Sequence, residues 1–257
     1  MVTTIKFLKK KSFKNAVLFT GLPGIGLVGK ICVDYLLKQF NAEKVAEIYS
    51  DSFPPSVQTT KGVIDLIKDE IFYYSYKGKD FLFLAGPVQP ILDPKIGSMQ
   101  EHYEFAKTLV SEFKAMGVTE ICTLAGINIG ERRMHVVPRV VVAATSKKSL
   151  ESWVSLGAVS DKPVGMISGA AGLFLGIGKE EGLEGACLMG ETNARLIYGD
   201  PGAAKTVLEL IIKRFGFSVE MKKMEQESKE IEKAFSQLNE QLEDQEDSPP
   251  SGLTYVR

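Results

Sequence analysis

Apolar residues recur along this chain with two periods, and the two alternate. Ala16–Thr20 (AVLFT) is a short unbroken apolar run, as a strand covered on both faces requires. From Leu27 to Phe40 the period changes to that of a helix, with Leu27, Ile31 and Tyr35 on one face. Val45–Ser50 returns to a strand pattern and stops at Phe53-Pro54-Pro55-Ser56. Ile71–Tyr76 and Phe81–Ala85 flank Lys77-Gly78-Lys79-Asp80, which reads as a β-hairpin. Ser98–Met116 is helical and Gly117 stops it. Glu120–Ala125 and Arg139–Ala144 are strands on either side of the loop Gly126–Pro138, and Lys147–Leu156 is a helix. Val164–Ile167 reads as a strand leading through Ser168-Gly169-Ala170-Ala171-Gly172 into a short helix, with a further strand at Ala186–Met189. Pro201 opens a helix that runs to Phe215, and Gly216 is its stop. Such alternation predicts an α/β domain over residues 1–219, a mostly parallel sheet with helices on both faces.

The pattern changes after Val219. Met221–Asp247 contains neither Gly nor Pro, and residues 220–247 read as one charged C-terminal helix. Met224, Ile231, Phe235, Leu238 and Leu242 recur at spacings of a heptad seam. A narrow apolar stripe on a charged helix needs a second surface, either its own domain or another subunit, and we read it as an oligomerisation seam. Residues 248–257 (SPPSGLTYVR) are rich in Pro, Ser and Gly, and are expected to form a flexible tail in isolation.

Charge and cysteine usage narrow the partners. The net charge is −1, so nothing favours nucleic-acid phosphates or an anionic membrane. No apolar run has the ~18 residues of a membrane span, and no signal-peptide pattern is read at the N-terminus. A cytoplasmic location is expected. Cys32, Cys122 and Cys187 lie far apart on apolar runs, as buried reduced thiols do, and no pair has zinc spacing.

One turn invites a chemical reading. Gly21-Leu22-Pro23-Gly24-Ile25-Gly26-Leu27-Val28-Gly29-Lys30 follows a strand and opens a helix. Gly24, Gly26 and Gly29 match a dinucleotide fingerprint, with Asp51 near the ribose-acid position, but Pro23 removes a backbone donor and the first glycine arrives late. The same stretch fails as a P-loop, because Ile31 stands where magnesium needs a hydroxyl. Three readings stay open: tight strand-to-helix packing, an anion site at Gly24, Gly26 and Gly29, or a nucleotide site. Glu191, Thr192 and Asn193, with Asn128, Glu131 and Arg132, follow two strand ends, where α/β sheets place ligands. A small-molecule or nucleotide-binding enzyme using these residues and the Gly24–Gly29 turn is the alternative function. No nucleophile elbow, metal cluster or paired histidine base is visible, so no enzyme and no cofactor are expected.

Several blocks, in order, resemble the proteasome-assembly-chaperone family: GLPGIGLVGK at 21–30, FPPS at 53–56, LAGPVQP at 84–90, AGIN at 125–128, ISGAAGLFLG at 167–176, MGET at 189–192 and YGDPGAAK at 198–205. The resemblance implies one phosphorylase/hydrolase-like α/β domain, self-association into a homo-oligomer, and a role in assembling or capping the proteasome core particle. It is nearest to the archaeal members, whose C-termini end in hydrophobic–Tyr–any residue and dock between α-subunits. By that likeness Leu253, Tyr255, Val256 and Arg257 are the expected docking residues, with Tyr255 one place earlier than the pattern has it. Calorimetry with NAD, FAD and ATP is expected to give no constant as tight as about 1 μM, roughly −8 kcal/mol.

Overall fold

The computed structural model describes residues 3–9, 12–90, 99–160, 165–226 and 228–229. Its first half runs β1 (Thr3–Phe7), β2 (Ala16–Gly21), α1 (Val28–Gln39), β3 (Glu43–Ser50), β4 (Val57–Thr60), β5 (Val63–Leu66), β6 (Asp69–Tyr76), β7 (Lys79–Ala85) and α2 (Met99–Ala115). The second runs β8 (Val118–Asn128), β9 (Val140–Ala144), α3 (Lys147–Val154), α4 (Gly169–Glu180), β10 (Glu184–Thr192) and α5 (Pro201–Phe215). Among the described residues, eight strands form one sheet in the order β1-β3-β6-β7-β2-β8-β10-β9.

The four central strands β7, β2, β8 and β10 are mutually parallel, while β6, β1 and β9 run against their neighbours. The sheet is therefore mostly parallel at its centre with antiparallel margins. The antiparallel turn between β6 and β7 comes from Lys77 and Gly78, both at positive φ (49° and 75°), the geometry of a two-residue primed hairpin.

Alternation along the central strands supplies both faces. Phe81 and Phe83 of β7, Val17 and Phe19 of β2, and Leu124 of β8 lie in one apolar layer with α1, α3 and α5. Leu82 and Leu84, Leu18, and Ile121 lie in the other, with Phe105 and Phe113 of α2 and Phe174 of α4. Phe19 and Phe83 stack at 5.5 Å, and Phe81 meets Phe215 edge-on at 5.4 Å. Each fully buried large side chain contributes roughly 1.5–3 kcal/mol. The three cysteines are buried thiols, and burial raises the Cys187 thiol to about 11. No described helix is long and apolar enough to cross a membrane.

Three details differ from the sequence pattern. Gly165–Ile167, the described part of the expected strand Val164–Ile167, forms no strand; it leads into α4, with the Ile167 carbonyl close against Gly172. β1 is an edge strand paired on one side only, so its mixed sequence TTIKF carries no two-sided apolar run. β4 and β5 form a separate hairpin whose Val57, Val63, Ile64 and Leu66 are exposed, so burial gives no pattern to read.

Two buried carboxylates on the β3–β6 side titrate in opposite senses. Glu47 accepts from Lys68 at 2.7 Å and from the Tyr49 hydroxyl at 3.1 Å, and Lys68 chiefly lowers its carboxyl from 4.5 to about 2, against the penalty of burial. Its stabilisation is present above about pH 4.5 and is lost as pH falls towards 2. Asp69 is fully buried, and burial raises its carboxyl well above 3.8, against the Val88 amide and the Lys30 charge. Its contribution is present below 3.8 and is lost as pH rises through its folded value. Urea unfolding across pH is expected to show Glu47→Gln losing roughly 1–3 kcal/mol at neutral pH, with the gap closing in acid. Asp69→Asn is expected to gain on the parent as pH rises.

Candidate functional site

Strand β2 ends at Gly21, where a side chain would strike Val33 and the Gly29 carbonyl. Leu22-Pro23-Gly24 then leads through a 3-10 turn (Ile25–Leu27) into α1. Gly26 has φ 60° and faces Thr192 with no room for a Cβ. Gly29 lies on the Leu124 carbonyl, so the first turn of α1 rests directly on β8. These two glycines serve close packing. Gly24 differs: its backbone is extended and no atom stands within 4 Å of the Cβ position. It lines a cavity at the strand carboxyl ends.

Behind the turn lies a buried ion pair. Arg133, on the 3-10 turn Gly130–Met134 between β8 and β9, donates to Asp200 through Nε at 2.7 Å and Nη2 at 2.9 Å. Asp200 also accepts from the Thr192 hydroxyl at 2.9 Å and from the Ala203 amide at 2.9 Å, which makes it the N-cap of α5. Its own amide donates to the Gly26 carbonyl at 2.8 Å. Asp200 is 0% exposed and Arg133 2%. The sequence singled out neither; the signal was there in Asp200-Pro201, a capping acid ahead of a proline at the first helical position.

Glu191, Asn128 and Glu131, read from the sequence as a polar set at the strand ends, are each bonded to groups outside that set. Glu191 is buried and accepts from Arg139 at the backbone amide (3.1 Å), Nε (3.3 Å) and Nη2 (3.0 Å). Asn128 accepts from the amides of Gly130 and Ala194, both at 3.0 Å, and Glu131 pairs with Arg195 at the surface. Among the described residues no three His, Cys, Asp or Glu side chains gather to hold a metal ion.

The chain after α5 begins on its own domain. The Tyr35 hydroxyl donates to the Glu220 carbonyl at 2.6 Å, residues 222–226 are helical, and Met224 is fully buried in the layer that holds α1 and α5. Ser228 is buried beside Gly202, where Arg133 also sits. The first residue of the expected seam is thus covered by the domain that precedes it. Ile231, Phe235, Leu238 and Leu242 of the seam, and Leu253, Tyr255, Val256 and Arg257 of the tail, lie outside the described residues. Around the strand ends, the loops expose Ile25, Val137, Met166, Ile197 and Tyr198, the last at 92%.

The PAC2 family model matches residues 18–239. An uncharacterized Methanocaldococcus jannaschii protein, MJ1210, is 33% identical over the whole of both chains. Among solved structures, PbaB of Pyrococcus furiosus, described as an archaeal proteasome activator, is 31% identical, with a TM-score of 0.82 over 92% of this chain and 98% of its own. PbaA of the same organism, described as an archaeal homolog of proteasome-assembly chaperone, is 25% identical, with a TM-score of 0.70 over 94% of each.

Arg133→Ala leaves the Asp200 carboxylate buried without its cation, and is expected to cost roughly 3–5 kcal/mol in urea unfolding. Arg133→Met combined with Asp200→Asn is expected to recover more than half of that, because Asn still caps α5.

Proposed function

The chain belongs to the PAC2 family, the family of proteasome assembly chaperones, and from that premise we propose that it is an oligomeric chaperone or activating cap of the proteasome core particle. It acts in the cytoplasm and engages the core-particle α-subunits through its C-terminal tail. The observation that carries this reading is the likeness to PbaB, which is described as a proteasome activator and which this chain matches over nearly its full length.

The chemistry of the two C-terminal segments supports it. Ser248-Pro249-Pro250-Ser251-Gly252 is an uncharged spacer whose prolines favour an extended chain, and Leu253, Tyr255, Val256 and Arg257 follow it. Ten residues reach about 35 Å at full extension, enough to leave the body and enter a pocket on a partner. The seam beyond Met224, at Ile231, Phe235, Leu238 and Leu242, is assigned to self-association. Several tails on one oligomer act together, since each bound tail raises the effective concentration of the rest. The engagement of Glu191 and Asn128 in internal bonds supports a binding protein over an enzyme of the strand ends.

Surface plasmon resonance against purified core particle tests the reading. Tyr255→Ala is expected to weaken binding by ~10-fold or more. Ile231→Asp with Leu238→Asp is expected to lower the oligomeric mass in light scattering and to weaken binding through lost avidity. Equal affinity of the parent and Tyr255→Ala places the contact on the folded body and sinks the tail mechanism. No binding by the parent sinks the proteasome reading itself.

A further inference from the structure

The carboxyl ends of β2, β8 and β10 border a cavity of about 460 Å3. That volume suits a small ligand, since such pockets run from about 300 to 1,000 Å3. Its wall is largely apolar, with Leu22, Leu124, Ile127, Ile167 and Met189 among its side chains. Among the described residues that line it, none carries a charged side chain. The polar groups are few. Gln89 is spent as a strut: its Nε2 donates to the Pro23 carbonyl at 2.6 Å and its Oε1 accepts from the Ala170 amide at 3.2 Å. The Asn128 Oδ1 is spent on the Gly130 and Ala194 amides, as described above. Thr20 is not spent. It is 3% exposed, it lines the cavity, and its hydroxyl has no hydrogen-bond partner among the described residues.

Two further observations point at an occupant. Helix α4 opens onto the cavity through Ser168, Ala170 and Ala171, and the Ser168 side chain at its N-cap makes no capping bond. The positive end of a twelve-residue helix therefore meets an apolar cavity, with no acidic side chain among the described lining residues to balance it. Gly24 lines the same cavity. The other glycines of the turn that line or flank the sheet are forced by contacts, but Gly24 has open space where its Cβ would be. A side chain at 24 would take up room at this wall, and the glycine leaves it free.

We propose that this cavity binds a small monocarboxylic acid with an apolar body. The carboxylate sits at the Thr20 hydroxyl and the N-terminal end of α4, where Gln89 takes up the Ala170 amide but not its neighbours, and the body packs on Leu22, Leu124 and Met189. One negative charge matches one helix terminus; the several charges of a nucleotide phosphate find no Lys or Arg among the described lining residues. The proposal uses no residue of the seam or the tail, and stands whether or not they engage the proteasome.

Calorimetry and thermal unfolding of the full chain test it, with butanoate, isovalerate, hexanoate and benzoate as probes and the matching alcohols as controls. At least one acid is expected to bind and raise Tm, with its alcohol ~10-fold weaker or more. Thr20→Val, which keeps the shape and removes the hydroxyl, is expected to weaken the acid by roughly tenfold. Gly24→Leu is expected to abolish binding while circular dichroism stays unchanged. Absence of binding by all four acids overturns the proposal. So does an alcohol that binds as well as its acid, or binding that survives intact in both Thr20→Val and Gly24→Leu.

Discussion

Asp200 is cut off from water, so its carboxylate has to be satisfied from inside the protein, and each donor that satisfies it belongs to a different part of the chain. Arg133 brings the loop between β8 and β9, Thr192 brings the end of β10, and the Ala203 amide brings the start of α5. The amide of Asp200 holds the glycine turn through the Gly26 carbonyl. An unpaired buried carboxylate is far too costly to tolerate. The loops that build the strand-end pole are therefore fixed relative to one another by a single charge pair. The base of the C-terminal extension comes to the same place, because Ser228 sits over Gly202 beside Arg133.

The layers of the fold were readable in the residues, and the reason is physical. AVLFT, FLFLA and the run Ile121–Leu124 are buried on both faces, and such strands are largely apolar. The bounds of α5 follow from Pro201 and Gly216, each at the helix end its backbone chemistry prefers. What escaped was whatever has no burial to pattern it: the edge strand β1 and the exposed hairpin β4–β5. The Lys61-Gly62 turn of that hairpin has the same positive-φ pair as Lys77-Gly78, so a turn signal existed without a strand signal beside it.

The candidate site was less legible than the fold. Gly24, Gly26 and Gly29 look alike in a motif, yet two are dictated by what touches them and one by what does not. A motif counts glycines; only neighbours tell a packing glycine from one that leaves space. Glu191 and Arg139 illustrate the same limit. They are 52 residues apart, and nothing local announces that they will meet across β10 and β9. The seam residue Met224 had two candidate partners by pattern, and its place beneath α1 and α5 is a matter of tertiary packing.

The strand order also dictates when this chain can fold. β2 is the most enclosed strand, and its ladders join Val17 to Phe81 on one side and to Glu120 on the other. Its neighbours thus arrive only after long stretches of intervening chain, and each closure carries an entropic cost before any contact rewards it. During synthesis the apolar run Ala16–Gly21 leaves the ribosome ahead of both partners, and its second ladder cannot form until the chain has passed β8. The β6–β7 hairpin, by contrast, closes over two residues and carries the smallest entropic cost of the ladders in the sheet. The strand-end pole that carries the glycine turn cannot be complete before Asp200 and the start of α5 have been made, so its shape depends on some of the most distant contacts in the sequence.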